Sequence, residues 1–176
     1  MNFLIRRATK ADIPIMAQII RNAFYGVAVR FGLTEENCPK HPSNCKNEWI
    51  EEAFAKGIRY LLLESDGVPC GCAALEQAGP EVCYLERLAV LPARQHRGYG
   101  RALVDQAFAE AKLLGARQVD IGLIADQAEL RTWYRKIGFV EQRTGRFPHL
   151  PFEVLFMSKT IDPNPSGIVN LLKATP

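Results

Sequence analysis

Three apolar segments follow one another between residues 58 and 90, separated by turns too short to hold a helix. Their sequences are IRYLLLE, VPCGCAALEQ and EVCYLERLAV, and the turns between them contain SDG and AGP. Tight turns between strand-forming runs are typical of β-hairpins, so we expect the three segments to form an antiparallel meander. Because the apolar faces of such a sheet must be covered, the rest of the chain is expected to pack against it.

A strand and two helices are predicted before this meander. FLIRRA has the alternation of a strand, and Thr9 and Asp12 in the following TKAD have the spacing of a capping box. The next helix carries apolar residues at a period of about 3.6 and fades near Arg30. Residues from Phe31 to Asn47 lose the pattern, after which NEWIEEAFAKG predicts a second helix that stops at Gly57.

The chain after the meander predicts two more helices and three strands. The predicted segments are a helix from Gly98 to about Leu114, the strand RQVDIGLI, a helix in QAELRTWYRKIGF and a last hairpin that ends in FEVLFMSKT. The order β α α β β β α β α β β indicates the α/β (α+β) class, with a mixed, mostly antiparallel sheet of about seven strands and helices on both faces.

The chain length of 176 residues is most simply one domain. Every predicted element lies within residues 1–161, which we take as the domain. The stretch 162–176, which opens with DPNPSG, is expected to be a C-terminal tail.

Composition argues against several classes of protein. A hydrophobic share of 48% and a charged share of 23% are ordinary for globular proteins, and a net charge of +3 is too small to indicate nucleic-acid binding without a basic face. No stretch approaches the roughly 20 apolar residues that a membrane span needs, and MNFLIRRATK is too short a run for a secretory signal. The five cysteines fit a reducing compartment, so we expect a cytoplasmic protein without nucleic-acid or membrane partners, and leave open whether it forms a homodimer.

The segment CPKHPSNC is the one place where metal ligands come close together. It brings Cys38, His41 and Cys45 within eight residues. A structural zinc site needs a further ligand, and no second paired-ligand motif supplies one. We therefore expect no metal.

The segment RQHRGYGRAL, from Arg94 to Leu103, concentrates glycine and positive charge at the start of a predicted helix. The first amide donors of a helix have no internal partners and the helix dipole adds positive charge, which suits an anion such as a diphosphate. Gly98 and Gly100 allow the backbone to approach a ligand closely. Fixed charge around them comes from Arg94, Arg97 and Arg101.

Other interpretations of this turn are simpler or belong to nucleotide-binding folds. It could be a glycine-rich connection with a solvated basic rim. A phosphate-binding Walker loop requires Gly-Lys-Ser/Thr, which is absent, and a dinucleotide fingerprint requires glycine where Leu103 stands.

Two motifs resemble those of the GNAT superfamily of N-acetyltransferases. ERLAVLPARQHRGYGRALV is similar to the acyl-CoA motif Gln/Arg-x-x-Gly-x-Gly/Ala, matched by Gln95, Gly98 and Gly100, and LRTWYRKIGF is similar to the family's later helix, in which a tyrosine precedes Gly-Phe. They stand in the family's order with the expected strand between them. The resemblance covers about Leu4 to Lys159 and implies the GNAT fold, in which the fourth and fifth strands splay apart. It also implies acetyl-CoA as the acyl donor.

The resemblance implies that backbone groups hold the coenzyme. The end of the fourth strand would pair with the pantetheine amides, and the amides of the basic turn would cradle the diphosphate. Gln127 stands where many members have an asparagine that contacts pantetheine. The implied coenzyme-binding residues are Leu88, Ala89, Val90, Gln95, His96, Arg97, Gly98, Tyr99, Gly100, Arg101, Gln127 and Tyr134.

The resemblance places the general acid at Tyr134, whose hydroxyl would face the coenzyme sulfur, although this residue could also be core beside Trp133. For the general base we choose Glu86, on the expectation that its side chain shares a face of the strand with Leu88 and Val90. The alternative for Glu86 is an ordinary ion pair within the sheet. The Val90 amide would polarise the thioester carbonyl.

Cys72 and Cys83 are alternative nucleophiles for a ping-pong reaction, but neither has a neighbouring histidine, so direct transfer in a ternary complex is preferred. Family members commonly build the acceptor site from the segment after the first helix and from the last hairpin, here 31–49 and RTGRFPHLPFE. His149 in that hairpin is a second candidate base. Acidic residues that would suit a cationic amine, or simply form a solvated face, are Glu35, Glu36, Glu48, Glu51 and Glu52.

We therefore expect an N-acetyltransferase that acts on a primary amine of a small molecule. The alternatives are acetylation of a protein N-terminus or lysine, and a non-catalytic module that binds acyl-CoA.

Overall fold

Residues 2–162 are described by a computed structural model, so the predicted tail from residue 163 onward lies outside the described residues. The strands are β1 (Phe3–Arg7), β2 (Arg59–Ser65), β3 (Val68–Gln77), β4 (Val82–Val90), β5 (Gln118–Ile124), β6 (Val140–Arg146) and β7 (Glu153–Thr160). The helices are α1 (Ile13–Phe31), α2 (Asn47–Ala55), α3 (Tyr99–Leu113) and α4 (Ala128–Ile137). The predicted element order is confirmed.

The entry to α1 is fixed by the predicted capping box. The carboxylate of Asp12 accepts the backbone N–H of Thr9 at 2.7 Å, and Arg6 donates to the same carboxylate at 2.9 Å. These contacts lower the pKa of Asp12 below its usual range. The helix ends at Gly32, whose φ of 62° is the left-handed conformation typical of a helix C-terminus.

All seven strands form one mixed sheet in the order β1-β2-β3-β4-β5-β7-β6. The predicted antiparallel meander is formed by β2, β3 and β4, and β1 pairs antiparallel with β2. The chain then crosses over through α3, so β5 runs parallel to β4. The last hairpin adds β7 beside β5 and leaves β6 at the edge.

The sheet separates two hydrophobic cores. On one face, α3 and α4 pack on the sheet through residues such as Leu103, Phe108 and Tyr134. On the other face, α1 and α2 pack through residues such as Met16, Ile20 and Ile50. Helices therefore cover both faces, as the sequence predicts.

The described part of the chain contains no helix with both the length and the apolar character needed to cross a bilayer. All five cysteines are buried and unpaired.

Candidate active site

The parallel pair β4–β5 separates halfway along its length. Within residues 2–162 the two strands pair through Val82, Cys83 and Tyr84 of β4, and the rest of β4 has a strand neighbour on the β3 side alone. The second half of β4 therefore lines a gap in the sheet. This is the predicted splay of the fourth and fifth strands.

A bulge in β4 lies at the start of the gap. Ala74 of β3 pairs with Glu86 and Cys72 pairs with Ala89, so two residues of β4, Arg87 and Leu88, stand opposite one residue of β3. Arg87 has a φ of 51°, which is uncommon for a residue with a side chain.

The bulge makes one sequence prediction wrong. Leu88 and Val90 pack against the core under α3, whereas Glu86 pairs with Ala74 of the core under α1. Glu86 therefore does not share a face of β4 with Leu88 and Val90, because the extra residue reverses the alternation of side chains between them.

The backbone of Val90 points into the gap. The Leu91 N–H donates to the Cys70 carbonyl on β3 at 2.9 Å, and successive residues of a strand direct their backbone groups to opposite sides. The N–H and carbonyl of Val90 therefore face away from β3. The carbonyl accepts a hydrogen bond from the Gln95 side-chain amide at 3.1 Å, which leaves the N–H directed at the gap.

The basic turn follows directly after β4 and starts α3. Gly98 is the residue before the helix and has a φ of 81°, and His96 also has a positive φ, of 61°. Tyr99 is buried and its hydroxyl lies 2.8 Å from the Ser65 Oγ, which anchors the first turn of the helix on β2. The backbone from His96 to Arg101 is thus held at a helix N-terminus, where amide donors favour an anion.

A cleft of about 520 Å³ passes through the gap. Its coenzyme-side lining includes Leu88, Val90, Gln95, Gln127 and Tyr134, all among the residues that the resemblance implies. Glu86 also lines it. The further lining comes from α1, from the segment before α2 and from the last hairpin, and includes Phe24, Val27, Lys40, His41, Pro42, Arg87, Leu150 and Phe152.

Tyr134 belongs both to the core and to the cleft. Its ring packs at 4.9 Å from Trp133 and 5.3 Å from Phe139, measured between ring centroids, and 7% of the residue is exposed. Burial raises the pKa of its hydroxyl well above the usual value. The hydroxyl therefore keeps its proton at neutral pH.

Glu86 reaches the cleft from the opposite face of the sheet. Its carboxylate is half-buried, and its Oε1 lies 3.9 Å from the Arg87 Nε. Burial raises the pKa of Glu86, an effect that Arg87 partly opposes. A carboxylate with a raised pKa is a stronger base than an exposed one, which suits proton removal from an amine.

Tyr84 is a cleft residue that the sequence analysis missed. It reaches across to β5, where a Cβ added at Gly122 would lie 2.6 Å from the Tyr84 hydroxyl. Burial raises the pKa of this second phenol. The glycine inside QVDIGLI is the signal that could have indicated a close approach here.

Lys40 and His41 are cleft residues in the segment 31–49, where the resemblance implies an acceptor site, although the sequence analysis singled out His41 only as a metal ligand. His41 is buried, its Nδ1 lies 2.8 Å from the Ser43 Oγ, and burial lowers the pKa of its imidazole. The ring is therefore neutral at pH 7. Within residues 2–162 no group of three His, Cys, Asp or Glu side chains is arranged to hold a metal ion.

Several other sequence candidates lie away from the cleft. His149 is exposed and outside its lining. Cys72 and Cys83 are buried, outside the lining, and burial raises the pKa of both thiols, which disfavours a thiolate nucleophile. The acidic residues of the segment after α1 and of α2 are all exposed, so they form a solvated surface rather than the cleft wall: Glu35, Glu36, Glu48, Glu51 and Glu52.

Comparison with known proteins finds a family match in the part of the chain that contains β4, the basic turn and α4. Residues 56–141 match the family model described as an acetyltransferase (GNAT) domain. The uncharacterized N-acetyltransferase YjgM of Escherichia coli is 25% identical over 156 residues, which cover 86% of this chain and 91% of that protein.

Solved structures show the same fold. yncA of Salmonella typhimurium, solved with its cofactor acetyl-CoA, superposes with a TM-score of 0.68 at 22% identity, over 93% of this chain and 96% of its own. A ribosomal-protein-alanine N-acetyltransferase from Brucella melitensis superposes with a TM-score of 0.67 at 25% identity, over 90% of this chain and 99% of its own.

Proposed function

The chain belongs to the GNAT superfamily of acetyltransferases, and from this membership we propose that it transfers an acetyl group from acetyl-CoA directly to a primary amine of a small molecule. The observation that carries the proposal is that the basic turn follows directly after the open edge of β4, which lines the cleft. A turn suited to an anion, a free strand edge and a tyrosine hydroxyl thus follow one another. This is the order of the diphosphate, pantetheine and thioester in acetyl-CoA.

Residues of this chain fit each part of the coenzyme. The helix N-terminus at 96–101 would bind the diphosphate, and the open edge of β4 at Leu88 and Val90 would pair with the pantetheine amides. Gln127 lines the same path from the start of α4. The Val90 N–H would donate to the thioester carbonyl and stabilise negative charge on its oxygen.

The proposed chemistry uses one residue from each face of the sheet. The neutral acceptor amine attacks the acetyl carbonyl carbon, and Glu86 accepts the one proton that the nitrogen loses as the new N–C bond forms. The carbon–sulfur bond breaks, and the departing thiolate takes the proton of the Tyr134 hydroxyl. The products are an N-acetylated amine and free coenzyme thiol, and the proton held by Glu86 returns to solvent as Tyr134 is reprotonated.

A small acceptor is supported by the segments that border the cleft. Lys40, His41 and Pro42 come from the segment before α2, and Leu150 and Phe152 come from the last hairpin. A cleft bordered by both segments leaves less room for a folded protein chain than an open groove does. Acetylation of a protein N-terminus is the second candidate, because the Brucella structure with the same fold is named for that activity.

The test is release of free thiol from acetyl-CoA in the presence of a panel of small primary amines and of short peptides, with the acetylated product identified by mass spectrometry. Selective turnover of small amines is the expected result. Turnover of peptides alone would move the acceptor to proteins. Tight coenzyme binding without thiol release from any acceptor would favour a non-catalytic acyl-CoA-binding module.

We also propose a cytoplasmic location. All five cysteines are free thiols. Thiols persist in this form in a reducing compartment.

A further inference from the structure

We propose that the acceptor carries a carboxylate next to its amine, and that Arg87, assisted by Lys40, binds this carboxylate. The inference rests on the proposed function and specifies its acceptor class as α-amino acids with an apolar side chain.

The charges in the cleft favour an anion beside the amine. The residues that line it include two cations, Lys40 and Arg87, and one carboxylate, Glu86. Because the pKa of His41 is lowered, its ring adds no charge at pH 7. A zwitterion can place its ammonium at Glu86 and its carboxylate at the cations, whereas an acceptor with positive charge alone would be repelled by them.

The two cations converge on one aromatic ring. The Lys40 Nζ lies 4.7 Å from the centroid of the Trp49 ring, and the Arg87 Cζ lies 5.7 Å from it. Like charges held around one indole repel each other unless an anion lies between them. The indole thus holds both cations beside the cleft that they line.

The guanidinium of Arg87 has no close hydrogen-bond acceptor within residues 2–162. Its side chain is 22% exposed, and its polar contacts within residues 2–162 are long, at 3.9 Å to both the Glu86 Oε1 and the Cys45 Sγ. A largely buried guanidinium normally has close acceptors, because its charge is costly to leave unpaired. A bound carboxylate would supply them in the bidentate geometry that arginine favours.

The backbone of Arg87 supports the same assignment. Its φ of 51° at the bulge is a strained conformation for a residue other than glycine, and such strain concentrates at functional sites. The bulge brings consecutive side chains, Glu86 and Arg87, to the same cleft. This adjacency matches an α-amino acid, whose amine and carboxylate are attached to one carbon.

The remaining wall on the acceptor side is apolar. Phe24 and Val27 of α1 face it, together with Leu150 and Phe152 of the last hairpin. An apolar amino-acid side chain would be buried there, which adds affinity without a further charged partner.

The experiment compares apolar amino acids, each paired with its own primary amide, which keeps the shape of the acid and loses the negative charge. Thiol release from acetyl-CoA is measured for every pair, with rates expressed per unprotonated amine. Binding of the same pairs to the coenzyme A-saturated protein is measured by calorimetry. Arg87→Gln and Lys40→Gln test the two cations, and Arg117→Gln, an exposed arginine paired with Glu81 outside the cleft, is the matched control.

We expect the wild-type protein and Arg117→Gln to prefer the acid of each pair, and Arg87→Gln to reduce that preference about 10- to 100-fold. Lys40→Gln, at an exposed position, should reduce it in the same direction and provides the test if Arg87→Gln does not fold. Equal use and equal binding of acids and amides would overturn the carboxylate assignment and leave the proposed function standing. Absence of thiol release with every amine would contradict the proposed function, and the binding ratio, which needs no turnover, would then decide the carboxylate assignment.

Discussion

Removal of the Tyr134 hydroxyl leaves the aromatic packing of the site in place. Its ring is held by Trp133 and Phe139, contacts that phenylalanine would keep. We therefore expect Tyr134→Phe to lower kcat about 100-fold, since a general acid typically contributes at least this much, while the coenzyme dissociation constant changes less than about twofold. Steady-state kinetics and calorimetric titration with coenzyme A measure the two quantities.

Tyr25 provides the control for this substitution, because it lies on α1 with 68% of its surface exposed. Tyr25→Phe is expected to leave both quantities unchanged. If Tyr134→Phe retains full turnover, another group protonates the thiolate, and Tyr84 is the next phenol in the cleft to test.

The proposed role of Glu86 leads to a prediction for the pH dependence of kcat/KM. Burial raises the pKa of Glu86 above that of an ordinary glutamate, which is about 4.3. Because the base acts only when it is unprotonated, kcat/KM should fall as the pH drops through this raised pKa. Glu86→Gln should lower kcat/KM about 100-fold and remove this limb. Ionisation of the acceptor amine affects both proteins alike, so the ratio of the two profiles isolates Glu86.

Glu52→Gln, on the exposed surface of α2, is the control for the charge change and should retain the wild-type profile. A Glu86→Gln profile parallel to that of the wild type would instead assign proton removal to another group. The neutral imidazole of His41, which lines the same cleft, would then be the first candidate.

At the scale of elements, the separation of β4 from β5 is supported by one side chain that crosses between them. The Tyr84 hydroxyl occupies the place where a side chain at Gly122 would stand, 2.6 Å from an added Cβ. Gly122→Ala should therefore destabilise the fold by about 1–3 kcal/mol, the usual cost of forcing extra volume into a packed site. Chemical denaturation measures the change.

A double variant gives this prediction its control. Tyr84→Phe removes the atom that a new methyl group would meet, and the other atoms near that methyl group are at 3.4 Å or more. The cost of Gly122→Ala should then be smaller in the Tyr84→Phe background than in the wild type. Equal costs in both backgrounds would show that the hydroxyl is not the obstacle.

Local sequence patterns were sufficient to predict the elements. The capping box at Thr9 and Asp12, the tight turns of the meander and the glycine after each helix act within a few residues, so they can be identified without knowledge of the fold. The same holds for the basic turn before α3. The order of these elements then restricted the sheet to a mixed arrangement.

Features that depend on strand register were not predictable in this way. The bulge at Arg87 is defined by the pairing of β4 with β3, and it decides which face carries Glu86. The clustering of Lys40 and Arg87 at Trp49 joins segments that are far apart in sequence. The sequence analysis left open whether the glutamates of 31–49 and α2 suit a cationic amine or form a solvated face; the structure shows them exposed, and the cleft lining carries two cations and one carboxylate.

At the scale of the whole molecule, the cleft lies where the sheet separates two cores, so a ligand in it contacts elements from both faces. Residues of α1, β4, α4 and the last hairpin all line it. A molecule bound across these elements stabilises the folded state, because the unfolded chain cannot bring them together. Coenzyme binding should therefore be visible as increased stability of the domain.

The expected size of this effect follows from mass action. Coenzyme A at about 100 times its dissociation constant should add about 2.7 kcal/mol to the free energy of unfolding, which raises Tm by about 5–10 °C in a chain of this length.

Gly98→Ala should reduce this rise in Tm at the same coenzyme A concentration, because the φ of 81° at Gly98 strains any other residue at the turn that would bind the diphosphate. Without ligand, the free energy of unfolding of Gly98→Ala should be about 1–2 kcal/mol lower than that of the wild type. This cost comes from the backbone alone, since no atom lies within 4 Å of a Cβ added at Gly98. Gly26→Ala in α1 meets equally open space at an ordinary φ, so it should raise intrinsic stability by up to about 1 kcal/mol and keep the full ligand-induced shift. If Gly98→Ala and Gly26→Ala show the same shift with coenzyme A, the diphosphate does not bind at the start of α3.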